Sequence, residues 1–114
     1  MPTKREKAPE VSKMLTLSTA HIQEKTASML QGVTHRHVAY LEAIVNGVCP
    51  PVYAKEGYGY FLFVDADSLE EYAETMPEDL YACCSYAKEQ GCEWLCLDED
   101  GPVMEGLKTY EWNA

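Results

Sequence analysis

Cys92, Glu93, Cys96, Asp98, Glu99 and Asp100 crowd two thiols and four acids into a nine-residue stretch, Cys92 to Asp100. Thiolates and carboxylates are ligand types for zinc, and a thiol beside charged groups is also the raw material of a reactive cysteine. Geometry weighs against a local metal site. As a strand, residues 92 to 97 put Cys92 and Cys96 on one face but ~13 Å apart at ~3.3 Å per residue. That is too far for one zinc at ~2.3 Å per thiolate, and too far for a disulfide, which needs Cα atoms within ~7 Å. A helix would bring the thiols together, but Gly91 and the Asp98 to Pro102 turn leave under two turns for it. The segment therefore reads as a strand covered on both faces, with Cys92, Trp94 and Cys96 on one side and Leu95 and Leu97 on the other. Its thiols read as core residues, as do Cys83 and Cys84 on the apolar face of a helix.

A second cluster sits at Asp65 and Asp67, directly after the apolar run Phe61 to Val64. Two strands joined by a helical crossover normally run parallel in one sheet. Asp65 and Asp67 would then share a sheet edge with Asp98 and Asp100, a place where α/β proteins bind ligands and where carboxylates hold Mg²⁺ or Mn²⁺. The plainer reading makes Asp67 or Ser68 a helix cap and Asp98 to Pro102 a turn. No Lys, Arg or Gly-rich loop stands nearby to grip a phosphate, and no cofactor is expected.

The histidines offer less. His21 follows Ser18-Thr19 at a predicted helix start, where the dipole favours neutral imidazole; no nucleophile-elbow motif accompanies it. His35 and His37 share a face only on a strand and have no ligand partner at recognised spacing.

These residues must be positioned by a short series of elements. Residues 1 to 13 have two prolines and six charges and read as a mobile tail, leaving 14–114 as one domain. Met14 to Leu17 is a strand. A helix follows from about Ala20 to Gln31, capped by Ser18 or Thr19, with Ile22, Thr26, Met29 and Leu30 on one face and Gly32 as its stop. Residues 34 to 47 fit a second helix capped by Thr34, although His37 to Leu41 also alternate like a strand. Cys49-Pro50-Pro51 breaks the chain. Val52 to Ala54 and Tyr58 to Val64 form a hairpin around Lys55-Glu56-Gly57. Ser68-Leu69-Glu70-Glu71 has the spacing of a capping box, Pro77 opens a helix carrying Leu80, Cys83, Cys84 and Ala87, and Gly91 ends it. Leu107 to Trp112 reads as a last short strand. The expected fold is α/β (α+β): a single small two-layer domain, with a mixed sheet of about four to five short strands packed against two to four helices.

Composition narrows the function classes. The 114-residue chain carries a net charge of −10, and residues 65 to 105 hold thirteen acids against one base, Lys88. Such a segment repels nucleic-acid phosphates and anionic membranes and attracts basic proteins. No apolar run approaches the ~20 residues of a membrane span, and no apolar stretch follows the basic N-terminus as in a secretory signal, so the expected compartment is the cytoplasm. Five cysteines, an odd number, read as reduced thiols. Eight tyrosines and two tryptophans are many for this length and suit either a core roof or a protein-binding surface.

Three stretches, Leu15-Thr16-Leu17-Ser18-Thr19-Ala20-His21-Ile22, Gly57-Tyr58-Gly59-Tyr60-Phe61 and Gly91 to Asp98 with Asp100-Gly101-Pro102, together resemble an uncharacterised family of small acidic bacterial proteins carried on plasmids and prophages. Trp94-Leu95-Cys96-Leu97-Asp98 is the most specific part. The resemblance implies a setting in which small acidic proteins block host defences or regulators, some by imitating a DNA backbone. The leading expectation is a non-enzymatic inhibitor or regulator that docks on a basic, nucleic-acid-handling protein, with no direct nucleic-acid or membrane contact. Glu70, Glu71, Glu74, Glu78, Asp79, Asp98 and Asp100 would carry the charge, with Tyr72 and Tyr81 as anchors. The alternatives are a metal-dependent enzyme using Asp65, Asp67, Asp98 and Asp100, and a homodimer pairing through a strand edge.

Overall fold

A computed structural model describes residues 8–35 and 49–112. Four strands form one mixed sheet: β1 (Met14–Ser18), β2 (Val52–Lys55), β3 (Gly59–Phe63) and β4 (Trp94–Asp98), in the order β1-β4-β3-β2. β4 runs parallel to β1 and antiparallel to β3. Helices α1 (Glu24–Thr34) and α2 (Glu78–Glu89) pack on one face, giving the expected two-layer mixed α+β domain. Two 3-10 turns, Thr19–His21 and Leu69–Tyr72, complete the elements among the described residues.

Local chemistry explains most boundaries. α2 begins after Pro77, whose missing amide costs nothing at a helix start. It ends where Gly91 adopts φ 75°, letting the Cys92 amide reach Ala87 O and the Gly91 amide reach Lys88 O, the paired bonds of a Schellman stop. Its inward face buries Leu80, Cys83, Cys84 and Ala87. These meet Leu17, Leu62, Leu95 and Leu97 from the sheet, all shut from solvent, and Ile22 and Leu30 from the α1 side.

Several expectations are corrected. The chain turns through Thr19–His21 before α1 starts, so Ser18 caps the turn by accepting the Ala20 amide and does not cap a long helix. The start of α1 is capped instead by the Asp79 carboxylate of α2, which accepts the Gln23 amide at 2.7 Å. Gly32 does not stop α1; it is buried inside the helix, which ends two residues later, and the Thr34 hydroxyl donates back to Gln31 O rather than capping a second helix. The rest of that predicted second helix, with His37, lies outside the described residues, as do residues 1–7 of the predicted tail. Ser68 closes no capping box: its hydroxyl donates to Asp65, and only a 3-10 turn follows. Leu107 to Trp112 joins no sheet. Its bonds go to the Thr19–His21 turn and the residue after it, with the Tyr110 amide on Ala20 O and the Trp112 indole on Ile22 O.

Candidate functional site

The alternation of side chains along the strands gives the sheet a second face that no element among the described residues covers. In register across it lie Met14, Trp94 and Phe63; then Thr16, Cys96, Phe61 and Tyr53; then Ser18, Asp98, Gly59 and Lys55. The rings touch. Phe63 meets Trp94 edge to face at 5.4 Å between centroids, and Tyr53 approaches Trp94 at 6.1 Å. Met14 is 47%, Tyr53 58% and Phe63 36% exposed, so the cluster is open to a partner. In the third row Gly59 has no side chain, and Lys55 reaches across it to form an ion pair with Asp98. A Cβ at Gly59 would stand 1.7 Å from Leu97 O, so the strands approach closely only because this residue is glycine.

The electrostatics of that pair are mutual. The Lys55 ammonium, followed by the Asp100 amide, holds the Asp98 carboxyl below its ordinary range, and the Asp98 bond raises the Lys55 amine above its own. Asp98 also accepts the Asp100 amide at 2.8 Å, the local turn expected there. Asp98 and Asp79 therefore hold the fold, and their carboxylates are engaged and buried.

The other proposed partner-binding acids stand outside. Glu70, Glu71, Glu74 and Glu78 are exposed around the second 3-10 turn and the start of α2, with Asp65 and Asp67 exposed just before them. Asp100 is exposed at the far end of the sheet. Tyr72 and Tyr81 are half-buried against the core, and burial foremost lifts the Tyr72 phenol above its ordinary range. A hollow of about 230 Å³ beside the open face joins Phe63, Asp65 and Tyr72.

The expected convergence of Asp65 and Asp67 with Asp98 and Asp100 is corrected. β3 and β4 are antiparallel neighbours, with Gly59 opposite Asp98 and Phe63 opposite Trp94. The acids that follow the two strands consequently lie at opposite ends of the sheet. Asp65 is spent on the Asp67 amide and the Ser68 hydroxyl. Among the described residues no group of three or more His, Cys, Asp or Glu side chains is placed to share a metal ion.

All five cysteines are free and buried. Burial pushes the Cys49 and Cys83 thiols up to about 12 and raises Cys84 and Cys96 as well, the direction that suppresses a nucleophilic thiolate. His21 is 2% exposed, and both ring nitrogens are occupied. Nδ1 donates to Lys108 O and Nε2 accepts the Met104 amide, each at 2.9 Å, which assigns the tautomer and pins the C-terminal segment to the 3-10 turn. His35 lies at the end of α1 and donates Nδ1–H to Gln31 O.

A second concavity lies on the helix side, between α1 and the β2–β3 hairpin, where sequence reading placed nothing. It measures about 410 Å³, and its walls include Glu24, Glu56, Tyr58, Tyr60, Glu99 and Trp112. The signal that could have found it is the aromatic spacing of Tyr58-Gly59-Tyr60, although Trp112 reaches it only through the long-range bond to Ile22 O.

No helix among the described residues is long and apolar enough to cross a membrane. No curated protein and no solved structure matches the chain. Residues 14–112, the whole of the described domain from β1 to the Trp112 anchor, match the C-terminal domain model of the family of unknown function DUF5983, and the chain belongs to that family.

Proposed function

We propose that this chain is a non-enzymatic binding module that docks a basic protein against its aromatic sheet face and the acids beside it. The observation that carries this reading is the sheet face that no described element covers: Tyr53, Phe63 and Trp94 form one ring cluster, with Phe61 opposite Tyr53 in register and Met14 opposite Trp94 at its border. Exposed clustered aromatics are the residue types that anchor protein interfaces, and leaving them in water has a cost that a monomer would otherwise avoid. Charge selects the partner. The chain carries −10 overall, and the exposed run Asp65, Asp67, Glu70, Glu71, Glu74, Glu78 contains no base. It steers basic surfaces in and nucleic acid away.

A nucleic-acid-handling protein fits that chemistry, because its basic surface is built to meet negative charge. Inhibition or regulation of such a protein on behalf of a plasmid or prophage, by presenting carboxylates in place of phosphates, is the role this reading assigns. The metal-dependent alternative has lost its geometric basis with Asp65 and Asp98 at opposite ends of the sheet.

Affinity capture compares three baits: the native chain, the triple variant E70K/E71K/E74K, and the double variant Y53S/F63S. We expect basic proteins that the native chain retains through low salt and releases at moderate salt, lost from both variants. Retention that is identical for all three baits would sink the reading.

A further inference from the structure

We infer that the outer edge of β1 pairs with β1 of a second copy of this chain, antiparallel across a two-fold axis through Leu15. β1 ends the sheet, and its inner side is committed to β4. The Trp94 amide donates to Lys13 O, and the unbroken parallel register from Met14 opposite Trp94 to Ser18 opposite Asp98 assigns the backbone groups of Leu15 and Leu17 to the same neighbour. The N–H and C=O groups of Met14 and Thr16 therefore point away from the sheet. Ser18, next in that series, shows the direction, because its amide leaves the sheet for Pro102 O at 2.8 Å. The outward backbone groups of Met14 and Thr16 have no such partner among the described residues.

A row of unpaired strand groups accepts one kind of occupant, another extended chain. The two edges of this sheet differ in how they are guarded. β2 is entered through Pro50-Pro51, ends on Lys55 and has α1 beside it. β1, Met14-Leu15-Thr16-Leu17-Ser18, has no proline, no charge and no bulge, and among the described residues only Pro102 closes it, at Ser18 alone.

Charge and symmetry select the second copy. The acidic run from Asp65 steers basic chains to the other edge, since Asp65, Ser68 and Tyr72 share a hollow with Pro50 and Pro51 at the entry to β2. A basic segment gains no attraction from the uncharged β1, whereas two copies of β1 meet without like charges in the seam despite the −10 on each chain. Centred on Leu15, the pairing sets Met14 of each copy opposite Thr16 of the other, so every outward N–H and C=O of these residues finds its complement. It also sets the half-buried Leu15 against Leu15 of the second copy on the closed side. The axis stands perpendicular to the sheet, which keeps both aromatic faces on one side of a continuous sheet and makes the docking surface bivalent.

The test is the mass of the native chain by light scattering across a concentration series at low and moderate salt, with hydrogen exchange read at single amides. We expect the mass to double with concentration and the dimer to persist at moderate salt, where screening weakens the repulsion between two acidic copies. The Met14 and Thr16 amides should exchange slower by about tenfold or more in the dimer, while the Leu15 and Leu17 amides, bonded to β4, stay protected throughout. Thr16→Pro removes an outward donor that β4 does not use and should give a folded monomer. A native chain that stays monomeric, Met14 and Thr16 exchange that does not change with concentration, or a folded T16P that still doubles in mass would overturn the pairing. If T16P does not fold, amide exchange in the native chain decides alone. A monomer that captures basic proteins removes this inference and leaves the docking reading, whereas a dimer that captures none removes the docking reading alone.

Discussion

On the helix side of the sheet, Leu17, Leu62, Leu95 and Leu97 are shut from solvent, whereas one residue away on the same strands Phe61, Phe63 and Trp94 lie on a face that nothing described covers. Both faces carry large apolar side chains, and the open one adds a polar row of Ser18, Asp98 and Lys55. The difference lies in what packs above. The closed side meets α1 and α2 and is built from aliphatic side chains that interdigitate at core density. The open side is built from aromatics, whose rings satisfy one another edge to face and tolerate partial exposure. An aliphatic face stabilises the molecule; an aromatic face left open is available to another one.

The largest test of this contrast is at Gly59, where the open face meets its tightest backbone approach. Gly59→Ala places a methyl 1.7 Å from Leu97 O, and because the obstacle is backbone in a central strand, β3 and β4 must separate. We expect a loss on the order of 4 kcal/mol or no folded state, read by urea unfolding. Preservation of native stability would show that the strands have slack the register denies.

A smaller effect separates the two faces directly. Leu97→Ala on the closed side should cost about 2–5 kcal/mol, as buried leucines do. Tyr53→Ser on the open side should cost under about 1 kcal/mol by the same measurement, because the ring is mostly exposed already. Equal losses would mean that the open face is covered in solution, and light scattering would then report whether a second copy covers it.

The smallest effect is electrostatic and belongs to the third row of the open face. Asp98 is held below its ordinary 3.8 by Lys55, so its contribution to stability is present above that value and is lost as pH falls through the lowered folded value. Lys55 is held above its ordinary 10.5 by Asp98, so its contribution is present below that value and is lost as pH rises through the raised one. The difference in melting temperature between the native chain and Asp98→Asn should therefore form a plateau between these limits and shrink at both ends. A difference independent of pH would assign the effect to the Asp100 amide bond and not to the ion pair.

Much of the fold is legible locally. β1, the hairpin, α2 and β4 each carry their own signals: aromatic and aliphatic alternation, Pro77 before a helix, Gly91 after it. Buried thiols at Cys83, Cys84 and Cys96 also follow from the helix and strand faces, whereas Cys92, expected on the strand, lies before β4 and is buried at the α2 stop instead. What misled was non-local. Gly32 has the composition of a stop but sits at a buried point of α1. Leu107 to Trp112 has the alternation of a strand but finds its partners in Ala20, His21 and Ile22. Asp79 looks like one more surface acid in an acidic helix start, yet it caps a helix 56 residues earlier in the chain.

Composition, periodicity and turn chemistry by themselves determined that this chain is an acidic two-layer domain with thiols inside and aromatics on its strands, because those properties depend on neighbours within a few residues. Only the tertiary structure decided that β4 lies between β1 and β3 and runs against β3. Strand order and direction are set by which apolar faces meet once the helices have packed, a sum over residues far apart in the chain. That one choice sent the two acidic strand ends apart, brought Lys55 over Gly59 to Asp98, and left Tyr53, Phe61, Phe63 and Trp94 together on the open side.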